Sequence, residues 1–300
     1  MNVVRSAIVP CAGSYRHLST RYDPRHGIIW CIMDPKGRAC FSIELLEDLR
    51  AVELELEECA GRIRPDDLPL RYFVFASRTP GVFNYGGDLD LIIRCLNSGD
   101  TSMLRRYARL CIDVLHSYFM NFHLPITTIS LVQGTALGGG FEAALGGDVV
   151  IAEKSAMFGF PEVLFNLFPG MGAYNFLSRR IGMVRAERMI LDGKTYRADE
   201  LLMDGVLDIV AEDGNGENAL HDYIEKHSRK KHVYESLLQV RRKTFPVRHE
   251  EMMEISELWV ETARRIGPRE IRLMQRLAKA QTRVSPVPPA SIDPRGVGIA

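Results

Sequence analysis

The stretch Ser130–Gly172, SLVQGTALGGGFEAALGGDVVIAEKSAMFGFPEVLFNLFPGMG, decides how this chain is read. It opens on an apolar, β-type run and passes through three consecutive glycines, Gly138, Gly139 and Gly140. It then enters a helix of small residues that carries Glu142. Glycines opening a helix bare backbone N–H groups that have no intrahelical acceptor. The helix dipole adds positive potential at the same end. Such a place receives an anion or an oxyanion. Further on, Glu162 lies among Phe158, Phe160, Val163, Leu164 and Phe165. A carboxylate in such a setting is either paired or part of a site. Two carboxylates facing one pocket have their pKa values pushed apart, which leaves an acid and a base near neutral pH.

Working outward, a second glycine pair, Gly86-Gly87, stands in TPGVFNYGGDL, the loop that follows the apolar strand RYFVFAS at 71–77. Two glycine turns, each behind a strand, let one N–H from each converge on a single carbonyl oxygen. A thioester carbonyl becoming an enolate needs that arrangement, and losing one donor costs about 2.7–4 kcal/mol of transition-state stabilisation. Paired glutamates beside it suit removal of water from a β-hydroxyacyl thioester. One takes the α-proton and the other protonates the leaving hydroxyl. A rival reading is dinucleotide binding, because Gly138-x-Gly140-x-x-Ala143 fits GxGxxG/A and Glu162 lies near the spacing of a ribose contact. That reading leaves Gly86-Gly87 unexplained and puts Glu162 in a loop beside Pro161. The plainest alternative is a glycine turn that only permits tight helix–strand packing. No GxSxG elbow, SxxK or Walker A motif occurs. Asp88 and Asp148 read as capping or orienting residues, and His116 and His123 as ordinary helix residues.

Along the rest of the chain, strands alternate with helices. Residues 16–34 read as two strands around the DPRHG turn. Ser42 caps a helix whose Leu45, Leu46, Leu49, Val52 and Leu56 recur at helical spacing. Asp88 starts another helix, and a longer one runs from about 101 to 122, ended by Pro125. A strand is expected over ITTISLVQG, another over 148–153 and a third over VLDIVAE, with helices at about 173–182, 184–192 and 198–204. From Glu217 to about Arg283 the pattern is all helix. There Met252, Ile255, Leu258, Trp259, Thr262 and Ile266 mark one apolar face. No repeat of 20–50 residues is visible in the sequence. The fold class is α/β, with a core over 1–215, a helical region over 216–283 and a Pro- and Gly-rich tail over 284–300 that reads as disordered.

The bulk numbers exclude several classes. The chain has 300 residues, with 38 Lys+Arg against 38 Asp+Glu, so its net charge gives no ground for a nucleic-acid or membrane partner. Residues 226–243 are locally basic. They read first as a solvated helix face and second as a contact for an anion or an acidic carrier. No run of 18 apolar residues exists, so no membrane span is expected. The six cysteines all fall within the first 111 residues, without CxxC or zinc spacing, and fit free thiols in a reducing cytoplasm. The N-terminal segment has no h-region and reads as a frayed or locally paired end. Neither a metal nor a nicotinamide cofactor is expected.

ALGGGFEAAL followed by FGFPEVLFNLFPGMGA resembles the crotonase (enoyl-CoA hydratase/isomerase) superfamily, and FNYGGDL resembles its first oxyanion-hole segment. The resemblance spans about 25–215. It implies a spiral of ββα units with a C-terminal helical trimerisation region, in a homotrimer or a dimer of trimers. It implies oxyanion amides at Gly87 and Gly139, beside Gly86 and Gly138, and catalytic acids at Glu142 and Glu162. RACFSIELLEDL, EEMMEISELWVETA and RLAKAQTR extend the likeness to 15–283. Over this range the chain is similar to the bacterial synthases of diffusible signal factor, DSF. Those enzymes dehydrate a 3-hydroxyacyl group on acyl carrier protein to a cis-2-enoyl thioester. They then hydrolyse it to a free cis-2-unsaturated fatty acid used in quorum sensing. The resemblance also implies a sensor-kinase receiver domain as a restraining partner. An ordinary enoyl-CoA hydratase, acting on a CoA thioester, shares the same site and is the alternative. A non-catalytic acyl-binding protein on this scaffold would not need two glutamates. Tyr85, before the glycine pair, departs from the small or aliphatic residue common there, and the Pro-rich tail is particular to this chain.

Overall fold

The structure, a computed structural model, describes residues 15–64 and 68–281. The expectations for the N-terminal segment, for Cys11 and for the 284–300 tail lie outside the described residues. Ten strands form two sheets among these residues. β1 (Leu18–Asp23) and β2 (Ile28–Met33) are the expected antiparallel pair. Their turn closes where Gly27, at φ 68°, donates its N–H to the Asp23 carbonyl.

The larger sheet continues in parallel from β2 through β3 (Tyr72–Ser77), β5 (Thr127–Val132), β7 (Val149–Glu153) and β10 (Ile209–Ala211). Alternation decides its two faces. Phe73 and Phe75 enter the main core, whereas Val74, Ala76, Ile129 and Leu131 meet Leu220 and Ile224 of a helix on the other side.

The smaller sheet departs from the sequence reading. β4 (Gly81–Asn84) lies inside what reads as a loop, and the run 126–134 breaks at Gln133 into β5 and β6 (Gly134–Leu137). β8 (Met157–Gly159) and β9 (Thr195–Arg197) complete the order β4-β6-β8-β9. The chain thus makes the same move three times. A strand in the large sheet (β3, β5, β7) is followed by a short strand in the small one (β4, β6, β8) and then by helix. This is a structural repeat where the sequence shows none. β4 pairs with β6 and β6 with β8, all in parallel, so the ends of β4 and β6 lie side by side.

The helices follow their local signals. α1 (Ile43–Gly61) is capped by the Ser42 hydroxyl, which accepts the Leu45 N–H at 3.2 Å. α2 (Leu89–Ser98) is capped by Asp88. α3 (Thr101–Phe119) ends earlier than expected, in a 3-10 turn over Asn121–His123. α4 (Gly139–Leu145) carries Glu142, and α5 (Ala173–Ile181), α6 (Met183–Leu191) and α7 (Ala198–Met203) follow as read. Asp148 orients its surroundings, accepting from Asn121, the Thr128 N–H and Arg242.

The helical end is α8 (Gly216–Ser228), α9 (Lys231–Thr244), α10 (His249–Ala263) and α11 (Pro268–Gln281). It folds back onto the core: α8 supplies Leu220 and Ile224 to the second face of the large sheet, α10 packs along α3, and α11 packs along α2. The buried face of α10 is Met252, Ser256, Trp259, Val260 and Ala263. Leu258, expected on that face, is 55% exposed. In the basic stretch Val233, Leu237 and Val240 of α9 are all more than half exposed, so this face is open in the protomer. Arg242 pins α9 to Asp148 at 3.0 Å, just before the start of β7. No helix among the described residues is long and apolar enough to cross a membrane. The described cysteines, Cys31, Cys40, Cys59, Cys95 and Cys111, are free.

Candidate active site

The glycine turns after β4 and β6 meet. A Cβ added to Gly86 would lie 2.7 Å from the Gly139 nitrogen, and one added to Gly140 would lie 2.0 Å from the Asn84 carbonyl oxygen. Only glycine permits this approach.

Backbone accounting then separates the amides. In the first turn, Tyr85 donates to the Ala39 carbonyl, Gly86 to the Asn84 side chain, and Asp88 to the Tyr107 hydroxyl. In the second turn, Gly138 donates to the Gly159 carbonyl, and Phe141 and Glu142 donate to the Gly138 carbonyl. Among the described residues no acceptor meets the N–H of Gly87 or of Gly139. Both glycines line one cavity of about 50 Å³ together with Glu142 and Glu162. That space holds a few waters, since each needs about 10–15 Å³ on this measure. Gly86 and Gly138 do not line it; they make the turns possible. The four residues expected to act together are therefore brought together.

The two glutamates differ in surroundings. Glu142, on α4, is 1% exposed, and its Oε1 accepts the N–H of Met171 at 2.7 Å and of Ala173 at 2.9 Å. Burial raises its pKa, and the N–H groups of Ala173, Met171 and Gly172 oppose that rise. Glu162 sits in a 3-10 turn over Pro161–Phe165, with its Oε1 against Gly138. The residue as a whole is partly exposed, but its Oε2 is shielded from solvent and has no hydrogen-bond partner. Burial raises its pKa, and the charge of Glu142 raises it further. Three N–H groups favour the Glu142 anion and only its own backbone N–H does so for Glu162, so a proton shared by the pair favours Glu162.

The dinucleotide reading loses its ground here. Gly86 packs against the Gly139 nitrogen and the Glu162 carboxyl covers Gly138, where a pyrophosphate would need to approach.

The rest of the cavity was not legible as site. Trp259 and Met274 close it from α10 and α11, and Tyr107 and Cys111 wall it from α3. In the sequence each is an ordinary apolar position on an amphipathic helix. Met171 is different: FPGMG holds two further glycines, Gly170 and Gly172, and the N–H groups of Met171, Gly172 and Ala173 hold Glu142. Tyr85 does not wall the cavity; its carbonyl accepts from Gln281 of α11 at 3.2 Å.

Comparisons with known proteins agree with this architecture. A family model described as enoyl-CoA hydratase/isomerase matches residues 33–256. An enoyl-CoA hydratase from Bacillus halodurans superposes with a TM-score of 0.70 at 20% identity, over 87% of this chain and 100% of that one. The human mitochondrial delta3-delta2-enoyl-CoA isomerase gives 0.71 at 17% identity, over 88% and 98%. Pseudomonas aeruginosa DspI gives 0.61 at 22% identity, over 90% of both chains.

Proposed function

This chain belongs to the enoyl-CoA hydratase/isomerase family, and on that premise we propose that it adds and removes water across the α,β bond of an acyl thioester. The observation that carries this is the unequal glutamate pair beside two unpartnered amides. In the hydration direction, the Glu142 carboxylate takes a proton from water as its oxygen attacks the β-carbon. Glu162 gives its proton to the α-carbon, and the Gly87 and Gly139 amides hold the oxygen of the transient enolate. Dehydration is the reverse and starts from the other arrangement of the shared proton, with Glu142 protonated and Glu162 ionised.

The finer proposal is a DSF synthase-like enzyme. When dehydration ends, Glu162 holds the α-proton, Glu142 is again a carboxylate, and the eliminated water lies next to it. If that water turns to the carbonyl carbon, Glu142 takes its proton, the same two amides hold the tetrahedral oxyanion, and Glu162 protonates the leaving thiolate. The products are a free 2-unsaturated acid and the carrier thiol. The likeness of segments 38–49, 250–263 and 276–283, away from the glycine turns and the two glutamates in the sequence, supports this reading and a cis product released from acyl carrier protein. Incubation with a 3-hydroxyacyl carrier protein should release free cis-2-enoic acid. If the only activity is reversible hydration of trans-2-enoyl-CoA, the protein is an ordinary hydratase. Glu142→Gln should impair both steps; an unchanged hydrolysis rate would take the water away from Glu142.

A further inference from the structure

Tyr107 has no role in the chemistry above, yet it is 3% exposed and touches the loop that carries Gly87. Its hydroxyl is fully committed. It donates its proton to the Phe41 carbonyl at 2.7 Å and accepts the Asp88 N–H at 2.9 Å. A phenol with its proton given to a backbone carbonyl has none to offer a substrate. Burial also pushes its pKa well above the ordinary phenol value, so it stays neutral.

The consequence follows from peptide planarity. The Gly86 carbonyl and the Gly87 N–H belong to one trans peptide unit and point in opposite directions. The Phe41 N–H holds the Gly86 carbonyl oxygen at 2.7 Å, which turns the Gly87 N–H away from Phe41. Phe41 and Gly87 form an isolated parallel bridge, with no longer ladder to support it. Tyr107 brackets that bridge, taking the Phe41 carbonyl on one strand and the Asp88 N–H on the other. Gly86, at φ 91°, and Gly87 have no side chains to resist rotation. The orientation of the peptide therefore rests on its hydrogen bonds.

We propose that Tyr107 is a positioning residue that aims the Gly87 amide at the thioester oxygen by clamping the Phe41–Gly87 bridge. The proposal rests on the reading of Gly87 as an oxyanion donor. It predicts that the ring of residue 107 matters for packing and its hydroxyl for catalysis.

The test is Tyr107→Phe, which keeps the ring. Hydration of crotonyl-CoA should show kcat lowered by about ten- to a hundredfold, short of the 10²–10³ lost with a whole donor, and KM changed by less than about threefold. Infrared spectra of a bound, carbonyl-labelled 2-enoyl-CoA should show the C=O stretch of the variant shifted back towards its value in water. A purely structural role would leave the stretch of the folded, bound fraction at the wild-type position, and that result overturns the proposal. If Tyr107→Phe does not fold, Tyr107→p-aminophenylalanine, whose amino N–H takes the place of the hydroxyl and can still donate to the Phe41 carbonyl, is read by the same spectrum. A wild-type stretch in that variant supports the clamp, and a water-like one in a folded protein overturns it. Failure of the wild-type protein to shift the stretch would instead overturn Gly87 as an oxyanion donor, and the proposal with it.

Discussion

At Glu162, burial and the neighbouring Glu142 charge act in the same direction, while Glu142 itself is relieved by the amides of residues 171–173. Identical side chains thus differ in how strongly their surroundings favour the proton, because their hydrogen-bond partners differ. Glu162→Gln should lower turnover by about 10²–10⁴-fold with the fold intact, as judged by circular dichroism; near-wild-type turnover would remove its role. The same variant tests the electrostatics. An unfolded glutamate titrates near 4.3, and the folded group titrates higher, so the folded state binds more protons between the two values. Stability is then complete below the ordinary carboxylate range and is lost as pH rises through the raised folded pKa. Wild-type melting temperature should fall over that window, and Glu162→Gln should flatten the fall. Parallel profiles for the two proteins would show that Glu162 is not held protonated. In the sequence, the identity of both glutamates was legible from the apolar residues around them. Which one holds the proton was not, because the deciding donors sit at 171–173 and contact Glu142 only through the fold.

At the level of elements, caps and periodicity were reliable. Ser42 and Asp88 each close the first turn of the helix they were expected to start, because an N-cap acts within three residues. The short strands were not legible. β4, β6, β8 and β9 have three or four residues each and are held by partners distant in sequence. A pattern of two side chains per face is too little to read. The helical end is another element whose partner was hidden. Trp259 of α10 lies directly over Gly170, where an added Cβ would come within 2.5 Å of its ring. It therefore roofs the cavity and fills the core together. Trp259→Ala should cost about 3–5 kcal/mol in urea denaturation and raise KM. A loss below about 1 kcal/mol, on the scale of a surface substitution, would show that α10 is not an integral wall.

Across the whole molecule, three strand–strand–helix units bring two glycine turns that are far apart in the chain against each other. The first, Gly86-Gly87, follows β4, and the second, Gly138–Gly140, begins where β6 ends at Leu137. No sequence repeat marks the three units, because each needs only apolar residues at the right spacing. Large apolar side chains remain exposed on α6 and α7, with Met183 at 66%, Val184 at 61%, Leu191 at 67% and Met203 at 80%. Apolar surface of this kind suits burial against other protein, in line with the trimer implied by the resemblance. Sedimentation should give three times the 33.8 kDa protomer, about 101 kDa, or twice that. A monomer at micromolar concentration would overturn the expectation.

The amino-acid sequence by itself determined the helices, their caps, the glycine turns and the two carboxyl groups, since each depends on residues within a few positions of one another. Only the tertiary structure decided which amides stay unpartnered, which glutamate keeps its proton and which helices close the cavity. Those outcomes depend on desolvation and on hydrogen bonds between segments far apart in the chain, and neither exists until the chain has folded.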